Sequence, residues 1–204
     1  IRDSSTSRGR GDVYKRQIPP RAAFDAVCDK GTFAELCRKH GLEAPRTEVV
    51  HLAGTEPIAP SAIPFPVVAK PAVSAGYYDT LLKGFKKVYF ATEQAELDEL
   101  WQGLRASGFT GDFLVQELIG GDDTYMDSLT LYIGRDGRPR LLGAAQVLLE
   151  DHAPAMLGNP VAMVIREKPE LWERASALLA DAGYRGFAHF DVKRDPATGR
   201  EVFL

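Results

Sequence analysis

The sequence is poor in the features that announce most functional classes. Its 204 residues include only two cysteines, Cys28 and Cys37. Two are too few for a disulfide scaffold and favour a reducing compartment, the cytoplasm. No apolar run approaches the roughly 18 residues that a membrane-spanning helix needs. The 19 glycines and 13 prolines follow no period, and no heptad run appears, so collagen and coiled coil are excluded. A hydrophobic share of 45% and a charged share of 26% exclude a disordered chain. Several catalytic signatures are missing: a phosphate loop ending in Gly-Lys-Ser/Thr, GxGxxG, CxxC, HExxH and a nucleophile elbow. The four histidines have no zinc spacing. The cysteines lie nine apart on a helical pattern and read as core or half-buried side chains, not as a catalytic thiol.

The two ends differ from the rest. The chain begins with Ile1, and residues 1–17 are polar, basic and without amphipathic period. Five Lys/Arg against two Asp give this stretch +3; the remaining 20 Lys/Arg and 26 Asp/Glu leave −6 on the body. Such asymmetry suits a basic arm for nucleic acid. A second explanation is favoured. Asp12-Val13-Tyr14-Lys15-Arg16-Gln17 matches the translation of a transposase end used in DNA library preparation, so residues 1–17 are expected to be a non-native, disordered read-through. The acidic body repels phosphate polymers, so no nucleic-acid partner is expected. At the far end the sequence stops inside the strand-like run Arg200-Glu201-Val202-Phe203-Leu204, with apolar residues expected to be left exposed. Both ends are therefore expected to be truncated.

Between them, short strands alternate with a few helices. Residues 21–41 carry a helical pattern, with Phe24, Val27, Cys28, Phe33, Leu36 and Cys37 in apolar positions, broken at Asp29-Lys30-Gly31 and stopped by Gly41. Strands are expected at 47–52, 65–69 and 86–91, then a helix over 92–107 with Leu97, Leu100, Trp101 and Leu104 on its buried face. A strand at 113–118 runs into Gly120-Gly121. Strands at 127–133 and 140–149 form a hairpin around Asp136-Gly137. A strand at 161–165, a helix at 169–182, and strands at 186–193 and 200–204 complete the pattern. The class is α+β, with two sheet-and-helix lobes meeting near residue 120.

Three places can carry chemistry. Lys70 closes the apolar strand Phe65-Pro66-Val67-Val68-Ala69-Lys70. From there it either meets a phosphate or is an ordinary surface lysine at a strand end. The loop 72–84 after it is long enough to close over a ligand. Gln116-Glu117-Leu118-Ile119 leads into Gly120-Gly121-Asp122-Asp123. Extended backbone there can offer N–H and C=O groups to an adenine edge and a carboxylate to ribose, or it is simply a strand and a turn. Asp191 sits in Phe190-Asp191-Val192-Lys193. An acid in an apolar strand is paired, binds a metal, or faces solvent by alternation.

In this order the pieces resemble the ATP-grasp ligases over residues 29–204. Asp29-Lys30 with the Gly41–Thr47 stretch resembles the entry to the first ATP-binding lobe. Val68-Ala69-Lys70-Pro71 resembles the phosphate-lysine strand, Gln116–Ile119 with Gly121 and Asp123 the adenine and ribose segment, and Phe190–Lys193 with Glu201–Leu204 the metal hairpin. Lys86-Lys87-Val88-Tyr89, Gly120–Asp123, Leu149–Pro154 with Gly158-Asn159, and Gly183–Phe187 resemble the D-aspartate ligase branch of the carboxylate–amine ligases, which acts on peptidoglycan precursors.

The resemblance implies an ATP-grasp fold of two lobes enclosing ATP: residues 18–43 a helical linker, 44–119 the first lobe and 120–204 an incomplete second lobe. It implies ATP and Mg²⁺ as cofactors, a D-aspartate-like carboxylate and an amine acceptor as substrates, and an amide formed through an acyl phosphate. Lys30 and Lys70 would touch the ATP phosphates, with Gln116, Glu117, Leu118 and Ile119 along the adenine. Asp123 would hold ribose and Asp191 a Mg²⁺. Lys193 would meet the transferring group, with His152 and Asn159 on the acceptor side. Two departures stand out. The loop after Lys70 holds only Gly76 and Gly84, where the family has a glycine-rich flap; Lys86 and Lys87 would substitute for it. The family's Glu-x-Asn directly follows a Val-Phe-Leu strand, and this sequence stops at Leu204 without it. The chain alone is therefore expected not to ligate. Alternatives are another ATP-grasp ligase, of the D-alanine–D-alanine or carboxylase type, and a non-catalytic nucleotide-binding module.

Overall fold

A computed structural model describes residues 19–28, 30–73, 77, 80, 83–153 and 156–204. The 1–17 tail, Asp29, Gly76, Pro154 and much of the 72–84 loop lie outside the described residues, as does the Lys30 side chain.

Four helices and nine strands are described: α1 (Arg21–Cys28), α2 (Lys30–Lys39), β1 (Thr47–His51), β2 (Val67–Pro71), β3 (Tyr89–Ala91), α3 (Gln94–Ala106), β4 (Asp112–Glu117), β5 (Met126–Ile133), β6 (Pro139–Glu150), β7 (Pro160–Ile165), α4 (Pro169–Asp181), β8 (Gly186–Arg194) and β9 (Glu201–Phe203). They form a four-stranded sheet ordered β1-β4-β2-β3 and a five-stranded sheet ordered β7-β6-β5-β8-β9. The class is α+β, as expected. The chain divides into two compact units. One holds the residues up to Leu42 with Leu129–Ala144 and Glu167–Phe190. The other holds Glu43–Ser128, Ala145–Arg166 and Asp191–Leu204.

In the first unit, α2 ends as its sequence dictates. Gly41 takes φ 65°, and the Leu42 N–H reaches back to the Cys37 carbonyl at 2.8 Å, satisfying a carbonyl that helix geometry leaves open. Leu171, Ala175, Leu178 and Leu179 of α4 are buried, and Phe33 of α2 stacks on Phe190 with centroids 6.2 Å apart. Cys37 is fully buried, which pushes its thiol up to about 12. Cys28 is exposed, as is Phe24. Both were expected on the apolar side, but α1 buries only Ala23 of its eight residues.

In the second unit, the first sheet is antiparallel, with Thr47 opposite Gln116 and Val67 opposite both Glu117 and Ala91. Its core gathers around Phe113, whose ring lies 5.5–6.3 Å from those of Trp101, Tyr77, Phe109 and Tyr89. Leu97, Trp101 and Leu104 of α3 are buried, at the positions the 3.6-residue period marks. Pairing in β2 starts at Val67, not at Phe65, because Pro66 has no N–H to give a neighbour. The strand expected from Lys86 begins only at Tyr89. The Lys86 N–H donates to the Tyr89 hydroxyl at 2.7 Å instead of to a strand. Val202 and Phe203, expected to be exposed, are buried: β9 pairs with β8, and the Phe203 N–H donates to the Glu43 carbonyl at 2.8 Å. Among the described residues no helix is long and apolar enough to cross a membrane.

Candidate functional site

The second unit carries nearly every residue singled out from the sequence. Lys70 is half-buried in β2, one residue before its end. On the neighbouring β4, opposite Val68, Gln116 is buried and its Nε2 donates to Thr47 Oγ1 at 2.8 Å. Leu118 is partly exposed and Ile119 buried; the Leu118 N–H donates to the Pro66 carbonyl at 3.4 Å.

Glu117 ends β4 with only 10% of its side chain exposed. Its Oε1 accepts from the Arg46 backbone N–H and from Arg200 Nη2, each at 3.3 Å, and its Oε2 accepts from Arg46 Nε at 3.1 Å. Burial opposes ionisation, but the Arg46 backbone N–H and the two guanidinium groups outweigh it and hold the carboxyl below its usual range.

The Gly-Gly turn then redirects the chain. Gly121 has φ 93°, and a Cβ there would come within 2.7 Å of the Tyr125 ring, so glycine is required on two counts. Asp122 caps the following single helical turn, Asp123–Tyr125, by accepting from the Thr124 N–H at 2.9 Å. This aims Asp123 at the end of β6. Asp123 Oδ2 accepts the Glu150 backbone N–H at 2.9 Å and lies 3.0 Å from His152 Nε2. The Glu150 N–H, then His152 and Lys193, hold the Asp123 carboxyl low against the opposing effect of burial.

Asp191 and Lys193 share one face of β8, whose intervening Val192 is fully buried. Lys193 stands opposite Val202, and Asp191 accepts the Leu204 N–H on its carbonyl at 3.0 Å. The charge of Lys193 acts on Asp122, Asp123 and Glu150. Glu150 completes the group. Burial, then the negative charges of Asp123 and Asp191, push its carboxyl above the usual range despite Lys193 and His152. Asp123, His152, Asp191 and Lys193 thus converge from three stretches of sequence.

Asn159 takes a different partner: Lys87 Nζ donates to its Oδ1 at 3.3 Å, across 72 residues. Lys30 opens α2 in the other unit. Sequence reasoning gave Glu150 no role, although it lies within the Leu149–Pro154 segment quoted for the resemblance. It also missed Glu43, Arg46 and Arg200. The only signal for those was an excess of charge around the strand ends.

Asp123, Glu150 and Asp191 are oxygen donors of the kind a hard cation takes. Among the described residues no group of three His, Cys, Asp or Glu side chains is arranged to hold a metal alone. Glu150 is nevertheless held against Asp123 and Asp191, a repulsion a divalent cation would relieve. Mg²⁺ characteristically takes one or two carboxylates and leaves its other positions to phosphate and water.

The lysine strand β2, the extended segment leading to the Gly-Gly turn and its acids, and the β8–β9 hairpin bearing Asp191 and Lys193 are thus all present among the described residues. Solved structures agree on the fold. L-amino acid ligase from Bacillus licheniformis superposes with a TM-score of 0.57 at 14% identity, covering 97% of this chain and 44% of that one. D-alanine–D-alanine ligase from Bacillus anthracis, solved with ATP, superposes with a TM-score of 0.58 at 14% identity, covering 98% of this chain and 61% of that one. The fold is therefore that of the ATP-grasp ligases. By sequence, the chain is a relative of D-aspartate ligase from Enterococcus faecium, to which it is 32% identical over 184 residues. The match covers 86% of this chain and 42% of that protein, so the chain spans less than half the length of the curated relative. No protein-family profile matches.

Proposed function

We propose that the chain is the ATP-binding part of a carboxylate–amine ligase of the D-aspartate ligase type. The observation that carries this reading is the group of Asp123, the Glu150 N–H and His152 joined by hydrogen bonds, with the charges of Asp191 and Lys193 acting on Glu150, in the unit that also holds Lys70 and Gln116–Ile119.

The chemistry follows from positioning and charge. Lys70 would hold the phosphates of ATP. The backbone of Glu117–Ile119 would line the adenine, with Asp123 on the ribose. Asp191, with Glu150, would hold Mg²⁺, which when bound would offset the negative charge of the phosphates during transfer. A substrate carboxylate oxygen attacks the γ-phosphorus; the bond to the β–γ bridging oxygen breaks, giving an acyl phosphate and ADP. Lys193 would stabilise the charge on the group in transit. An amine then attacks the acyl carbon, phosphate leaves, and the amine loses a proton to give the amide. His152, bonded to Asp123, belongs with the nucleotide and not with the acceptor. Asn159, bonded to Lys87, is the better candidate for the acceptor side.

D-aspartate as the carboxylate and an amine of a peptidoglycan precursor as the acceptor are supported by the resemblance to D-aspartate ligase. A reaction that consumes ATP fits the cytoplasm. Calorimetric titration of the chain with ATP tests the reading. Binding that strengthens with Mg²⁺ and exceeds that of GTP is expected; no binding of ATP in the presence of Mg²⁺ would overturn it. Ligation is read as D-aspartate-dependent release of ADP by a protein extended to the relative's length.

A further inference from the structure

Residues 43–47 join the two sheets within the second unit. At one end the Phe203 N–H donates to the Glu43 carbonyl, and Glu43 makes a parallel bridge with Val202 on β9. At the other end the Glu117 N–H donates to the Arg46 carbonyl at 3.0 Å and Thr47 begins the pairing with β4.

Side chains repeat this tie. Arg200 Nε donates to Glu43 Oε2 at 2.7 Å and its Nη2 to Glu117 Oε1 at 3.3 Å, while Arg46 holds the other Glu117 oxygen. Arg200 thus contacts both the start of the connecting segment and the end of β4. A planar guanidinium can span two carboxylates in this way; a lysine ammonium cannot do so from a fixed position.

We propose that Arg200 is a positioning residue that holds the adenine strand and the metal hairpin in register, so that base and phosphate–metal subsites act together. The proposal rests on the ATP reading above. Arg200 immediately precedes β9, whose Glu201 and Val202 pair with Arg194 and Lys193 of β8. A shift of Arg200 therefore carries to Lys193, and through the Leu204 N–H to Asp191. Glu117 opens the adenine segment, and with its carboxylate held by two arginines that side chain fixes the strand instead of reading the base. The Arg200 side chain is 37% exposed, so its charge pairs add little to global stability. Its effect is expected on binding.

The test is ATP titration of the chain with and without Mg²⁺, beside thermal unfolding. Arg200→Ala is expected to weaken MgATP binding about tenfold. It is also expected to shrink, at least about threefold, the factor by which Mg²⁺ strengthens ATP binding, a readout that simple loss of stability leaves alone. Arg200→Lys should recover less than half of that factor, and Glu117→Gln added to Arg200→Ala should reduce it no further. Arg21→Ala, in an exposed pair with Asp25, is the unaffected control. If Arg200→Ala does not fold, Arg200→Lys and Glu43→Gln carry the same comparison. An unchanged Mg²⁺ factor in the folded Arg200 variants overturns the positioning role while leaving the ATP reading intact. Failure of the unsubstituted chain to bind MgATP overturns both.

Discussion

Glu117 and Glu150 both end strands in the same unit, and both are shielded from water, yet their surroundings are opposite. Glu117 meets two guanidinium groups and a backbone N–H that hold it ionised. At Glu150, burial first and then the charges of Asp123 and Asp191 push the carboxyl up, against Lys193 and His152. The first carboxylate is satisfied within the protein. The second is strained by its neighbours in a way that added positive charge would relieve. Residue type alone therefore does not separate a structural carboxylate from a ligand-binding one; the charges that folding brings to it do.

Substitution separates the two. Glu117→Gln has the largest expected effect. It puts an NH2 donor where one nearly buried carboxylate oxygen meets an arginine and removes the charge both arginines face, and urea unfolding should show a loss of about 1–3 kcal/mol. Because the folded carboxyl is held below its ordinary 4.5, this stabilisation is present above that pH and is lost as pH falls through the folded value. Equal stability of the two proteins at pH 7 would break the comparison.

Glu150→Gln should act in the reverse sense. A raised carboxyl favours folding below its ordinary 4.5 and loses that contribution as pH rises through the folded value. At pH 7 the variant should match or exceed the parent in thermal midpoint, by about 2–4 °C for each kcal/mol of repulsion relieved. The difference should vanish near pH 4. With MgATP present the order should reverse. A midpoint lowered at pH 7 would show that Glu150 is as fully satisfied as Glu117.

Asp123→Asn comes next. It weakens the acceptor for the Glu150 N–H and His152, and MgATP affinity should fall a few-fold, with His152→Ala smaller again. The His152 side chain is 65% exposed, and ion pairs so placed contribute about 0–1 kcal/mol. Calorimetry on both variants checks this order.

Much of the architecture was legible because it has a period. Leu97, Trp101 and Leu104 recur at helical spacing, and β2 and β4 appear as apolar runs bounded by Pro and Gly. Boundaries shifted where side chains or proline intervened, as with the Tyr89 hydroxyl that captures the Lys86 N–H. The candidate site residues that the sequence offered, Lys70 and Asp191, are those that stand out from an apolar strand. Arg200 and Glu117 lie 83 positions apart, and opposite charges paired at that separation leave no pattern in the sequence. Glu150 was hidden for a related reason: the carboxylates that perturb it belong to other segments, and only folding brings them near. Cys28 and Phe24 misled because α1 buries a single residue, so an apolar pattern there does not mark a packed face.

The central claim is that Asp191, Glu150 and Lys193 form the phosphate–metal side of a nucleotide site. The most direct measurement is the affinity of the chain for ATP, with and without Mg²⁺, compared with that of Asp191→Asn. The account predicts binding that Mg²⁺ strengthens in the parent and no longer strengthens in the variant, with the thermal midpoints alike. Equal affinities with and without Mg²⁺ in both proteins would contradict it.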